Sequence, residues 1–332
     1  MKSISILGAG SWGTAIATVA AERGLEVYLW SRNPEHINEI EKLKENKKYL
    51  PKVILPESII LTDDLKVASQ SDIIAVVIPS TGLRNITEEL AMIGISSNSV
   101  ILSCTKGIAR STGLRMTEII ESNLPNNVAA VLSGPNHAEE VGRKLATAAV
   151  IGCKDKKIAN EIQKVFSLPW FRTYTSNDVA GIELGGAAKN IYAICAGISD
   201  GLGLGDNAKS ALVTRGLAEM IRLGTELGGK AETFQGLSGV GDLIVTCYSA
   251  YSRNNKVGRL IGEGKTINEI LSSMNMVAEG VPNTISFYEK TKKHGVNTPI
   301  IDQAYEMIET GKSPKNALED LLSRDLRPET DQ

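Results

Sequence analysis

An α/β unit built on a doubly wound, mostly parallel sheet, followed by an all-helical unit, is the fold class that the sequence predicts. Three observations carry it. Short apolar runs alternate with helical spacing through the first half of the chain, the pattern of strands joined by crossover helices. The runs at 73–78 (Ile-Ile-Ala-Val-Val-Ile), 100–103 and 128–132 are almost continuously apolar, as strands buried on both faces are. After Ser176 only helical patterns are found.

In chain order, a strand at 3–7 runs into Gly8-Ala9-Gly10-Ser11-Trp12-Gly13, and a small-residue helix continues from Thr14 to Arg23 with Gly24 as its C-cap. A second strand follows at 26–30, then helical spacing over 34–45, loops around Pro51 and Pro56, and a short strand at 59–61. The three buried runs come next, with a helix over 114–122 between the last two. Edge strands at 146–151 and 171–175 flank a helix at 156–166. The helical half contains patterns at 178–200, 207–227, 253–262, 267–273, 281–293, 299–309 and 314–322, and the polar tail 327–332 is expected to fray. The units are expected to span 1–177 and 178–332.

The start of the chain has the strand–turn–helix–strand context of a dinucleotide-binding Rossmann fingerprint, G-x-G-x-x-G. Gly8 permits the tight turn, Gly10 lets backbone approach a pyrophosphate, and Gly13 lets helix and strand pack closely. The helix N-terminus, with Ser11 and Trp12, offers N–H groups and partial positive charge to phosphates. Strand two ends in Ser31-Arg32-Asn33-Pro34, where an NAD-specific fold would carry Asp or Glu. A carboxylate repels a ribose 2′-phosphate, whereas a hydroxyl and a guanidinium bind one. The residues therefore favour NADP(H) with NAD(H) tolerated, against the alternative that Arg32 is a solvated loop residue.

Composition narrows the class. At 332 residues the chain is long enough for two cores. Its net charge of −2, with acids and bases interspersed, gives no field for nucleic acid or an anionic membrane. No apolar run approaches the ~20 residues of a membrane helix, and Met1-Lys2 leads into a glycine-broken strand rather than a signal-peptide core. Cys104, Cys153, Cys195 and Cys247 form no C-x-x-C pair and read as idle thiols of a reducing cytosol. His36, His137 and His294 are scattered and suggest no metal site.

Five segments carry candidate chemistry. The helix pattern at 178–200 contains Gly181-Ile182-Glu183-Leu184-Gly185-Gly186-Ala187-Ala188-Lys189-Asn190. Glycines inside a helix cost roughly 1 kcal/mol each, so they are expected to permit close approach of backbone or ligand. Lys189 shares a face with the uncharged Gly185, Tyr192 and Ala193. It reads either as a desolvated proton donor or as a surface lysine reaching past small neighbours. Lys106 in Thr105-Lys106-Gly107, and the loop Ser133-Gly134-Pro135-Asn136-His137-Ala138, follow the carboxyl ends of two buried strands, where open α/β sheets bind ligands. In the helical half, the segments Gly239-Val240-Gly241-Asp242-Leu243 and Ser252-Arg253-Asn254 read as loops. Arg253 and Asn254, near a helix start, suit an oxyanion such as phosphate.

Taken in order, Gly-Ala-Gly-Ser-Trp-Gly-Thr-Ala, Thr-Lys-Gly, Ser-Gly-Pro, Gly-Ala-Ala-Lys-Asn, Gly-Asp-Leu, Ser-Arg-Asn and Glu-Gly-Val resemble the bacterial NAD(P)+-dependent glycerol-3-phosphate dehydrogenase family over residues 4–310. The resemblance implies a cytoplasmic homodimer that interconverts dihydroxyacetone phosphate and sn-glycerol 3-phosphate for phospholipid synthesis. It implies cofactor contacts at Ser11, Trp12, Arg32, Lys106, Ala138, Arg253, Val277 and Glu279. It implies substrate contacts at Lys106, Gly134, Asn136, Lys189, Asp242, Ser252, Arg253 and Asn254, with Lys189 as proton donor and acceptor. One departure stands out: the family is associated with Ser or Thr and then an aromatic after Ser-Gly-Pro, where this chain has Asn136-His137. The contact made at Asn136 is therefore open, although Asn can replace a hydroxyl as a hydrogen-bond partner.

Two other readings share the glycine loop. A β-hydroxyacid or 6-phosphogluconate type dehydrogenase has the same 6-phosphogluconate-dehydrogenase-like architecture and a helix lysine, but needs a carboxylate site and different loops after strands four and five. A non-catalytic NADP(H) sensor has no reason to retain Lys106, Lys189 and Asp242.

Overall fold

The computed structural model describes residues 1–110, 112–274, 276–326, 328 and 329. Of the expected fraying tail, residues 327 and 330–332 lie outside the described residues. The chain divides into two compact units, Met1–Lys106 with Leu114–Val179, and Gly107–Gly113 with Ala180–Gln332. The division falls close to the expected 177/178. The segment Gly107–Gly113, placed by sequence in the first unit, instead clusters with the second. Its Ile108 is buried in the helical core beside Leu184 and Tyr192, a position that neighbouring sequence does not reveal.

The first unit contains β1 (Ser3–Leu7), α1 (Ser11–Glu22), β2 (Glu26–Trp30), α2 (Pro34–Leu43), β3 (Ile59–Thr62), β4 (Ile73–Val76), α3 (Leu83–Ile93), β5 (Val100–Ser103), α4 (Met116–Asn123), β6 (Val128–Ser133), α5 (Ala138–Gly142), β7 (Thr147–Cys153), α6 (Lys156–Phe166) and β8 (Phe171–Ser176). The strands form one eight-stranded sheet in the order β3-β2-β1-β4-β5-β6-β7-β8. Every pairing is parallel except β6 with β7. The chain reverses its direction of winding between β1 and β4, so the crevice at their carboxyl ends is the topological switch point. Every residue of β4 and β5 is buried, as expected, whereas β4 stops at Val76, Val77 and Ile78 are half-buried, and Val128 at the start of β6 is exposed.

Helix α3 has no counterpart in the sequence reading. Its signal is nonetheless present, because Leu83, Ile86 and Leu90 are the residues it buries, and they fall on one helical face. Pro79 and Gly82 just upstream make the segment look like a loop.

The second unit contains α7 (Val179–Gly201), α8 (Gly205–Glu226), α9 (Ala231–Phe234), α10 (Asp242–Tyr248), α11 (Arg253–Gly262), α12 (Ile267–Ser272), α13 (Gly280–His294), α14 (Pro299–Tyr305) and α15 (Pro314–Leu322). Two π turns, Leu237–Gly241 and Glu306–Thr310, precede α10 and follow α14. Residues 181–199 of α7 are buried without exception, so it is a core helix with no solvent face. It crosses α11 at backbone contact distance: a Cβ on Gly258 would lie 1.8 Å from Ile194 O, and one on Gly197 would lie 2.0 Å from Asn255 O. Gly185 gives the same closeness to the π turn, with Ser238 O 2.8 Å from where its Cβ would be. The expectation that the glycines of this helix permit close backbone approach is thus met at Gly185.

Glu219 on α8 is buried, and its carboxyl oxygens accept from Ile300 N (2.7 Å) and Ile301 N (3.4 Å) at the start of α14. Burial pushes its pKa up to about 8, partly opposed by those two backbone donors. A carboxyl raised from its unfolded value of 4.5 binds more protons folded than unfolded between those limits. Its protonated form therefore stabilises the fold fully below about 4.5, and this contribution is lost as pH rises through about 8. Glu219→Gln, which keeps an acceptor for α14, should flatten the fall of Tm between pH 5 and 8 and be the more stable protein at the upper end. Parallel Tm–pH curves for the two proteins would contradict this.

Candidate active site

In the first unit the glycine turn follows β1 directly. Gly8 has φ +125° and a Cβ there would meet Val77 O at 2.4 Å, so no other residue fits without displacing β4's continuation. A Cβ on Gly13 would lie 1.8 Å from Gly8 O, whereas one on Gly10 would meet nothing within 4 Å. Gly8 and Gly13 are therefore filled by the protein itself, and Gly10 faces open space where a pyrophosphate can approach backbone. Helix α1 has Gly10 as its N-cap and no capping side chain, which leaves its first-turn N–H groups to an anion. Trp12 Nε1 is buried with no hydrogen-bond partner among the described residues. This geometry fits a dinucleotide.

At the end of β2, Ser31 N donates to Thr62 O at 3.1 Å and Ser31 Oγ accepts from Asn33 N at 3.3 Å. Asn33 then caps α2 by accepting from His36 N. Arg32 is largely exposed and donates from Nη2 to Glu89 Oε1 of α3 at 2.6 Å. It is thus neither a bare cation nor a purely solvated one.

The loops after β5 and β6 meet at Lys106. Its Nζ donates to Gly134 O and to Asn136 Oδ1, each at 2.9 Å. Gly134 is held at φ +122° against β7, with Ala149 Cα 3.1 Å from where a Cβ would be. Asn136 is buried and its Nδ2 has no partner among the described residues. Asn136 therefore orients Lys106 with its carbonyl and presents an unsatisfied donor. Ala138 is the first residue of α5, with His137 at the N-cap.

In the second unit Lys189 is buried on α7, so it is not a surface lysine reaching past small neighbours. Its Nζ lies 2.7 Å from Asp242 Oδ1 and 2.6 Å from Thr246 Oγ1, with side-chain exposures of 6% for Lys189 and 1% for Asp242. A charge pair this dry is costly to break from one side. Thr246 Oγ1 donates to Asp242 O at 2.6 Å, which turns its lone pairs toward the ammonium. The segment Gly239–Leu243, expected from sequence to be a loop, is instead a π turn carrying the two glycines and the start of helix α10 at Asp242. Thr246 has no counterpart in the sequence reading; its i+4 spacing from Asp242 places both on one helical face.

Asn190, next to Lys189, had no role assigned beyond its motif. Its Oδ1 accepts from Asn254 Nδ2 at 2.8 Å, and Asn254 Oδ1 accepts from Gly280 N at 2.9 Å. The three residues tie α7, the start of α11 and the start of α13 together. Ser252 caps α11 by accepting from Asn255 N. Arg253 is exposed at the first turn of α11, and its Nη1 donates to Val277 O at 3.0 Å. Glu279 is the N-cap of α13.

A glycine-turn dinucleotide fold, a lysine at the carboxyl ends of its strands, and a helical unit with a buried lysine–aspartate pair define an NAD(P)-dependent dehydrogenase of the Rossmann-plus-helical class. Family models for the N-terminal and C-terminal regions of NAD-dependent glycerol-3-phosphate dehydrogenase match residues 3–159 and 178–319. The chain belongs to the NAD-dependent glycerol-3-phosphate dehydrogenase family. It is 46% identical over 328 residues to glycerol-3-phosphate dehydrogenase (NAD(P)+) of Bacillus subtilis, covering 98% of this chain and 95% of the relative. The corresponding protein of Thermoanaerobacter sp. is 47% identical over 327 residues, with 98% of each chain covered. The crystal structure of glycerol-3-phosphate dehydrogenase from Coxiella burnetii superposes with a TM-score of 0.93 at 37% identity, over 97% of this chain and 99% of that one. Among the described residues no helix is long and apolar enough to cross a membrane.

Proposed function

We propose that Lys189 is the proton donor and acceptor in the reversible NAD(P)-dependent reduction of dihydroxyacetone phosphate to sn-glycerol 3-phosphate. The observation that carries the assignment is the buried Lys189–Asp242–Thr246 cluster, because a lysine held in a water-poor site by two oriented oxygens is positioned to protonate a developing alkoxide. The nicotinamide cofactor, when bound, supplies or accepts the hydride at C2. Gly10, Ser11 and Trp12 would hold its pyrophosphate on the turn that Gly8 and Gly13 shape, and Ser31 and Arg32 would hold the adenosine ribose. Lys106, Ala138, Arg253, Val277 and Glu279 complete the proposed cofactor contacts.

Lys106 would stabilise charge on the substrate carbonyl, with Gly134 and Asn136 fixing its direction. Asp242 keeps the Lys189 ammonium in place, and Ser252, Arg253 and Asn254 would hold the phosphate. Since both ends of the Asn254 side chain already take part in the tie to Asn190 and Gly280, its contact would use the remaining amide hydrogen or backbone N–H. The four cysteines are buried free thiols, which suits a reducing cytoplasm. A cytoplasmic homodimer feeding phospholipid synthesis is the setting that the family supports.

Spectrophotometric NADPH oxidation with dihydroxyacetone phosphate tests the reading, and failure to turn over that substrate would overturn it. Arg253→Ala should raise KM for dihydroxyacetone phosphate by roughly 10- to 100-fold, since a hydrogen bond to a charged group is worth about 1.5–3 kcal/mol. Unphosphorylated dihydroxyacetone should be a very poor substrate of the unaltered enzyme. Equal turnover of both forms would remove the phosphate site from the account, and an equal loss of NADPH and substrate affinity would make Arg253 a bridge between the two.

A further inference from the structure

The carboxylate that strand two lacks is present nearby, on a different element. Arg32 donates to Glu89 at 2.6 Å, with both side chains partly exposed. Glu89 is half-buried on α3 and is not one of the residues that the helix buries, Leu83, Ile86, Thr87 and Leu90. The Arg32 guanidinium is the partner of its carboxylate.

A 2′-phosphate and Glu89 are both anions that need the same planar cation. The 2′-hydroxyl of NADH carries no charge and leaves the ion pair intact. We infer that Glu89 is a specificity-determining residue: the Arg32–Glu89 pair sets how far the enzyme prefers NADPH over NADH, because a 2′-phosphate must take Arg32 from Glu89. This rests on the reading that the adenosine end of the cofactor binds at the end of β2. Glu89 acts through Arg32 and is a positioning residue, not a catalytic one. Its effect is to blunt the preference that Arg32 creates, which suits an enzyme accepting both cofactors.

Glu89→Gln tests this with little risk to folding, since Gln matches Glu in size and helix propensity and the side chain is partly exposed. At low ionic strength the ratio of kcat/KM for NADPH to that for NADH should rise about two- to fivefold, the scale of an exposed ion pair. The gain should shrink as salt is added, while kcat and KM for dihydroxyacetone phosphate stay unchanged. Inhibition by 2′,5′-ADP should tighten by the same factor, and inhibition by 5′-ADP should not change. Arg32→Ala should collapse the preference, and adding Glu89→Gln to it should then do nothing. If Arg32→Ala collapses the preference but Glu89→Gln leaves it unmoved, the inference fails and the cofactor reading stands. If neither substitution moves the ratio, or Ser31→Asp with Arg32→Ala fails to reverse it, the cofactor reading fails and takes the inference with it. A Glu89→Gln gain that is equal for both cofactors would likewise overturn it, as a field effect blind to the 2′-phosphate.

Discussion

Lys189→Ala is expected to lower kcat by between 10²- and 10⁴-fold, the usual worth of a positioned general acid, while NADPH still binds. The substitution also removes the ammonium beside Asp242, which is 1% exposed, and a buried pair broken on one side costs about 3–5 kcal/mol. Loss of fold and loss of chemistry must therefore be separated. Lys189→Ala with Asp242→Asn removes both charges, so it should melt closer to the unaltered protein and remain as inactive as the single variant. Fluorescence titration with NADPH would show that the cofactor site survives. Retention of more than about a tenth of the original kcat in either variant would sink the assignment, because no general acid worth 10²-fold can be dispensed with so cheaply.

Gly258→Val should produce the largest loss of stability among the changes considered. Its Cβ would sit 1.8 Å from Ile194 O and 2.9 Å from Ile198 N, so the obstruction is helix backbone rather than a side chain that can turn away. Overpacking a core costs typically 1–3 kcal/mol and occasionally more. With backbone as the obstacle, the upper end or beyond is expected. In a unit of this size each kcal/mol is worth roughly 2–8 °C, so Tm should fall by about 10 °C or more, or the helical unit should fail to fold. Helix α11 begins with Arg253 and Asn254, so any protein that still folds should also show a raised KM for dihydroxyacetone phosphate. A Tm within about 2 °C of the unaltered protein would mean that α7 and α11 do not cross at backbone contact.

The same crossing illustrates the boundary of what could be read from the residues. Gly181, Gly185 and Gly186 stand out because glycine inside a helical pattern is locally unfavourable. Gly258 is likewise a glycine inside a helical pattern, but the backbone that it and Gly262 meet on α7 lies some 60 residues away in the chain, so local sequence does not name it. The start of α10 departs from the expected loop for a related reason: packing makes the segment a π turn followed by a helix.

The sequence by itself determined the order of the strands in the first unit, the dinucleotide turn and the helical character of the second unit. Each of these is written in local periodicity or in a short motif whose glycines have steric reasons. It also named Lys106, Lys189 and Asp242, through residue type and resemblance. Only the tertiary structure decided that Lys189 is buried and paired with Asp242 53 positions away, that Thr246 completes that cluster, and that Ile108 belongs to the helical core. It likewise decided that Arg32 meets Glu89 across 57 positions. Hydrophobic periodicity reports which face of an element is buried. It carries no information about which distant charge that face will meet, because that depends on how whole elements pack.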